Sequence, residues 1–415
     1  MTGGSTSAGV RVTQRVWTLL LSVLVPCIAL ALIGLLVLWP GLGPQSPDGS
    51  AGAGDPVAEA PSWDPAATTA GAGFVTGRVT SLDLRECPEA ERAGCEAVTV
   101  EVTGVDEPSE PVEVGDTGDL VVPPEAIRAG LAPGDQVRAQ PMAGSSGDFV
   151  FVDFDRTVPL WVLAALYALV VVLVAGLRGL RAIVGLVLAF GVVLVFLVPS
   201  LLAGEDAVSV GIVASAVIML VVLYLAHGFS ARTTVALLGT FGGIAIAGVL
   251  AGVFSLWARL AGIHTEESYL LLGYGITPAD LVVCGILVAG LGALNDVTIT
   301  QASAVWELAG SDRRMSARTL FARAMRIGRD HIASTVYTIA FAFAGGALAS
   351  LVLVGASSRG FLQSLTLGQM SFEVVSILVT STGLVLAVPL TTALAVWAAT
   401  SGTQERDSNR DRANG

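Results

Sequence analysis

The sequence predicts a polytopic α-helical membrane protein of about eight transmembrane helices, with a small extracytoplasmic all-β domain, OB-like or another small barrel, between helices 1 and 2. Three observations carry this expectation. Hydrophobic residues make up 53% of the chain and charged residues only 13%, against roughly 25% charged in soluble domains. Apolar runs long enough to cross a bilayer of about 30 Å recur from Val16 to Ala399. Between the first two runs, residues 41–157 hold 21 acidic residues against six arginines and contain stretches that alternate apolar with polar positions.

Residues 1–15 are small and polar and read as a cytoplasmic tail. Residues 16–39 form an apolar run of 24 residues. A cleavable signal has an apolar region of about 7–15 residues, so a retained helix is expected, with Arg11 and Arg15 holding its start in the cytoplasm. Cleavage after it is the alternative. Residues 40–72 are rich in Gly, Pro, Ala and Asp and read as a linker that buries no core.

Residues 73–157 change character. Phe74–Thr80, Ala97–Thr103, Asp135–Gln140 and Asp148–Phe154 read as strands, with turn signals at Pro133-Gly134 and from Gly144 to Gly147. Four to six short strands in about 85 residues fit a barrel or sandwich. Cys87 and Cys95 flank a charged turn of seven residues. In an extracytoplasmic domain they are a disulfide candidate; two free thiols are the alternative. Cys27 and Cys284 lie in apolar spans and read as packing residues.

Residues 158–399 read as a seven-helix bundle, and residues 400–415 as a disordered cytoplasmic tail. The expected spans are Leu160–Leu177, Ala182–Ala203, Ala207–Ala226, Thr233–Trp257, a span from Leu281, His331–Val354 and Glu373–Ala399. The fourth of these is dense in glycine, which lets membrane helices approach closely. An outer loop from Gly262 to Ala279 holds His264, Glu266, Glu267, Tyr269 and Tyr274. With both termini inside, the cytoplasmic segments hold 14 arginines and the short outer loops two, Arg259 and Arg359. That asymmetry fixes the expected orientation. The expected location is the bacterial cytoplasmic membrane.

The chemistry concentrates in the span from Leu281. Leu281–Leu308 is 28 residues long, about 42 Å as a helix, and carries Asp296 away from either end. A carboxylate at such a depth is expensive unless paired, hydrated or used. Gly292, Asp296, Thr300 and Ser303 share one stripe, and Asn295, Thr298 and Gln301 form an adjoining one. Carboxylate, hydroxyl and amide oxygens together suit a hard cation or a relayed proton. An Asp held by neighbouring helices for assembly alone is the competing reading. The last span carries Ser376, Thr380, Ser381, Thr382, Gly383 and Pro389, the residue types found where transporter helices break. Thr335, Tyr337, Thr338, Thr380 and Ser381 are expected to line a polar cavity around Asp296. Asp330-His331 stands at the inner mouth of a span, and His331 is a titratable candidate.

The run Asp296-Val-Thr-Ile-Thr-Gln-Ala302-Ser303-Ala-Val-Trp-Glu307 resembles the signature of the YibE/F family of bacterial multi-pass membrane proteins. The junction Asp153-Phe-Asp-Arg156 leading into Trp161, and Gly179-Leu-Arg-Ala182 after it, resemble the same family, from about Phe74 to Ala399. The resemblance implies one helix, a small β domain and a helical bundle, with Asp296 important. It implies transport machinery without naming a substrate.

Two functions remain from different classes. The first is a transporter or permease moving a small solute or ion, with H+ or a metal cation coupled at Asp296. The second is a non-transporting envelope protein whose β domain binds a protein partner or cell-wall component. An enzyme is not expected: the chain has no HExxH pair and no second deep Asp for a carboxylate dyad. No GxxxxGK[ST] loop occurs, so no nucleotide or other cofactor is expected. The acidic balance, with a net charge of −12, is unsuited to nucleic acid.

Overall fold

The computed structural model describes residues 14–40, 74–86, 96–105, 112–142, 147–260, 278–312, 314–356, 360–366 and 368–414. The linker, the first 13 residues, Cys87, Cys95, the Gly262–Ile276 loop with His264, Glu266, Glu267, Tyr269 and Tyr274, and Arg313 and Arg359 lie outside them. The chain divides into two compact units, Ala53–Val174 and the remainder.

The smaller unit holds five strands: β1 (Val75–Glu86), β2 (Glu96–Val105), β3 (Thr117–Val122), β4 (Gln136–Pro141) and β5 (Asp148–Phe154). They close into a barrel in the order β1-β2-β3-β5-β4. All pairings are antiparallel except β3 with β5. A short helix, α2 (Pro124–Arg128), joins β3 to β4. This is the Greek-key connectivity of an OB-type barrel.

Alternation dictates which side chains fill it. Val75, Val79, Val98, Val100, Val102, Leu120, Val122, Val137, Ala139 and Phe149 turn inward and are buried. Each such side chain contributes about 1.5–3 kcal/mol by leaving water. Gly118 is required by a close approach: a Cβ there would overlap the carbonyl oxygen of Gly147. Gly134 has φ +100°, which fits the expected Pro-Gly turn. The barrel ends at Asp153, whose carboxylate accepts a 2.6 Å bond from Arg156, and Arg156 in turn lies over the Phe154 ring.

The larger unit is helical. Helix α1 (Gln14–Val37) buries Val16, Leu20, Leu24 and Ala31 at helical spacing and packs on α5 (Ala207–His227) and α6 (Ala231–Trp257). Helix α7 (Pro278–Ser311) packs against α5, α6, α8 (Ala317–Gly346) and α11 (Gly368–Asn414). It is the central helix of the unit.

Small residues make that packing possible, since close contact rather than water exclusion drives helix association in lipid. A Cβ on Gly243 of α6 would sit 2.7 Å from Leu294 of α7 and 3.0 Å from Ala387 of α11. A Cβ on Gly239 would overlap the Thr391 hydroxyl of α11. These contacts make α7 and α11 run parallel to each other and antiparallel to α6.

Four expectations are modified. Where a loop with Arg178 and Arg181 was expected, helix α3 (Thr157–Val192) leaves the helical conformation only at Gly176, with φ 60° and ψ −140°. It continues through a π turn, Val193–Leu197, into α4 (Val198–Leu202). The His331–Val354 span is the end of α8 followed, across a bend of 67°, by α9 (Leu348–Ala356). A short helix, α10 (Phe361–Ser364), precedes α11. Six helices are long and apolar enough to cross a membrane, or seven when the bent pair counts as one, against the eight expected. Helix α11 also runs on to Asn414, through the residues expected to form a disordered tail. The segment Gln404-Glu405-Arg406 that carries it onward is built of good helix formers.

Candidate functional site

Helix α7 separates the two polar stripes. Thr298 and Gln301 turn into the bundle and are almost fully buried. The Thr298 hydroxyl meets that of Thr240 on α6 at 2.7 Å, and Thr240 also reaches the Ala236 carbonyl at 2.9 Å. The Gln301 amide donates to the Ala324 carbonyl of α8 at 3.0 Å and to Thr392 Oγ1 of α11 at 2.7 Å. The Thr392 hydroxyl in turn donates to the Val388 carbonyl at 2.7 Å. Gly328 makes room for this node, because a Cβ there would lie 2.9 Å from Gln301 Oε1. Each bond of this kind contributes about 0.5–1.5 kcal/mol, and losing one partner costs more. Thr298 and Gln301 therefore clamp four helices together.

The other stripe faces out. Gly292 and Asp296 are exposed, and Thr300 and Ser303 are half-buried. Ser303 donates to the Ile299 carbonyl at 2.7 Å and so is spent on its own helix. The Asp296 side chain is 65% exposed. Its neighbour across the α7–α8 interface is His331: Nε2 lies 3.4 Å from Asp296 Oδ2, with the imidazole 32% exposed. The distance is that of an ion pair. The geometry is not that of a hydrogen bond, and Nε2 is buried with no hydrogen-bond partner. Asn295, next in sequence, presents a buried Oδ1 that also has none.

The expected cavity hydroxyls divide differently. Thr335 stands one turn beyond His331 on the same face of α8 and donates to the His331 carbonyl at 2.9 Å. Thr338 donates to the Ser334 carbonyl and is exposed. Thr380 packs against Gly290, six residues before Asp296 and on a different face of α7. The structure thus brings His331, rather than the α11 hydroxyls, to Asp296. Thr380 Oγ1 and Ser381 Oγ are buried without partners.

Residues 163–401 match the family model described as YibE/F-like protein, which covers more than half of the chain. The chain belongs to the YibE/F-like family. No curated protein and no solved structure matches it. In this YibE/F-like chain the match begins within α3 and leaves the barrel outside. It includes both Asp296 and His331.

Glu373 opens the last apolar run of the sequence. It lies on α11, three residues before Ser376 and seven before Thr380, and so shares a face with both. No group of three or more His, Cys, Asp or Glu able to hold a metal occurs among the described residues.

Proposed function

We propose that this chain is a membrane permease that moves a small solute or ion, with Asp296 as its cation- or proton-coupling group. The observation that carries this reading is the Asp296–His331 pair at 3.4 Å between two apolar spans, with the carboxylate open and the neighbouring Thr298 and Gln301 already satisfied. An intramembrane carboxylate held only for assembly would be enclosed by donors.

The pair sets one carboxylate beside one imidazole nitrogen at ion-pair distance, so a proton or a cation arriving at Asp296 meets both groups at once.

The reading includes the membrane arrangement. Helices α3 and α4 together form one candidate span of 46 residues, about 69 Å long, twice what a bilayer of about 30 Å needs. Dividing it at Gly176 and counting the bent α8–α9 pair as one gives eight spans with both termini on the same side. The arginine asymmetry puts those termini in the cytoplasm and the barrel outside a bacterial cytoplasmic membrane.

A second reading, an envelope protein whose barrel binds a partner, draws on the barrel's being a compact unit with its own core. Sealed vesicles discriminate the two. Proton or metal-ion flux above that of empty vesicles supports the permease. Absence of flux for every ion tried, with capture of an envelope component by the barrel-bearing protein, supports the second reading.

A further inference from the structure

We propose that the face of α11 bearing Glu373, Ser376 and Thr380 is a binding site for a monovalent cation of the sodium class, separate from the Asp296–His331 pair. Four observations carry it.

The first is the behaviour of hydroxyls along α11. Thr382, Thr392, Thr400 and Ser401 each donate to the carbonyl four residues earlier. Ser381 and Thr391 do not, and neither do the two hydroxyls nearest Glu373 on its own face, Ser376 and Thr380. The latter two are 1% and 2% exposed, and their oxygens have no hydrogen-bond partner. A buried hydroxyl without a partner is costly, and a bound cation would satisfy both oxygens.

The second is Glu373, which lies within the candidate span Met370–Ser401. It is half-buried and has no ion-pair partner among the described residues. The spacing of three and then four residues stacks Glu373, Ser376 and Thr380 on one face, at steps of about 4.5 and 6 Å. The Glu373 side chain is half-buried, and the two hydroxyls beyond it are fully buried.

The third is the wall opposite. A Cβ at Gly290 of α7 would lie 3.2 Å from Thr380 Cγ2 and 3.9 Å from its Oγ1. The absent side chain lets the α7 backbone close on this face beside the Thr380 side chain.

The fourth is convergence. Gly211 of α5 lies against Cys284, and Gly248 of α6 lies near Leu287. By helix register, Ser215 of α5 and Ser255 of α6 therefore come to the same half of α7 as Ser376 and Thr380. Both are also buried with unpartnered oxygens. Three helices thus turn unsatisfied hydroxyls toward one half of the bundle.

The donor set decides the ligand. Hard oxygens select a hard cation. A single carboxylate neutralises a single positive charge, whereas a divalent ion would be left with uncompensated charge in the membrane interior.

The test is the thermal unfolding of the full-length protein in lipid nanodiscs, with sodium, potassium or choline chloride at equal ionic strength. Sodium is expected to raise the midpoint above choline, because a ligand that binds only the folded state stabilises it. Glu373→Gln is expected to weaken the sodium concentration dependence by about tenfold or more. The double variant Ser376→Ala/Thr380→Val is expected to remove the dependence while retaining a cooperative transition. Asp296→Asn is expected to keep it. Equal midpoints in sodium and choline overturn the site. An equal rise in potassium overturns the sodium assignment. A full sodium response in both α11 variants, or its loss in Asp296→Asn, overturns the separate location. None of these outcomes bears on flux through Asp296.

Discussion

Nε2 of His331 on α8 lies 3.4 Å from Oδ2 of Asp296 on α7, and the two helices are joined by a basic turn. Asp312 and Ser316 organise that turn: an Asp312 carboxylate oxygen accepts from the Arg314 amide, and Ser316 Oγ from the Thr319 amide at the start of α8. The beginning of α8 then buries Leu320, Ala324 and Gly328. His331 follows Gly328 by three residues, so the packing that seats Gln301 also brings the imidazole to the carboxylate.

If the imidazole holds the Asp296 carboxylate in place for coupling, His331→Gln should lower the initial rate of proton or metal-ion uptake at a fixed pH while leaving the unfolding midpoint little changed. Initial rates in vesicles, beside a thermal melt of the same protein, measure this.

The inner stripe should behave as structure. Thr298→Val removes one partner of a buried hydroxyl pair and should cost about 1–3 kcal/mol, with flux per folded molecule unchanged. Denaturant unfolding beside a vesicle assay separates the two effects. A large loss of flux with unchanged stability would move Thr298 into the site.

The α6–α11 contact is tight enough to test by volume. Gly239→Ala forces a methyl group onto the Thr391 side chain and should destabilise by about 1–3 kcal/mol. Thr391→Ala in the same chain should recover part of that, and a double-mutant cycle reads the coupling.

At the barrel's end, hydrogen bonds from the Thr157 hydroxyl and amide hold the Asp155 carboxyl below its ordinary value, and the bond from Arg156 does the same for Asp153. A lowered folded-state value means the stabilisation is present above the ordinary carboxylate range. It is lost as pH falls through the lowered values. Asp153 is exposed and Asp155 only half-buried, so the effect is local and small. Amide exchange at Thr157 should be slow near neutral pH, faster in Asp155→Asn, and faster in the wild type once Asp155 is protonated.

Much of this was legible in the sequence. Alternation marks Val98, Val100 and Val102 as a strand, and apolar length marks the spans. Strand β3 went unnamed because Thr117-Gly-Asp119 reads as a turn, yet it pairs with both β2 and β5. Arg178 and Arg181 looked like a loop, but arginine is a good helix former and only Gly176 departs from helical geometry. The periodicity of α7 grouped Asp296 with Thr300, and Thr298 with Gln301. It could not say which group faces inward, since that depends on where the glycines of α6 and α8 allow contact. The meeting of Asp296 with His331, 35 positions apart, is a product of tertiary packing alone.

The central claim is that Asp296 couples ion movement. The most direct measurement compares proton and metal-ion flux through wild-type protein and Asp296→Asn, reconstituted at equal density in sealed vesicles. Coupled flux in the wild type and its loss in the variant is the predicted result. Equal flux from the two proteins would contradict the claim and leave Asp296 a structural residue.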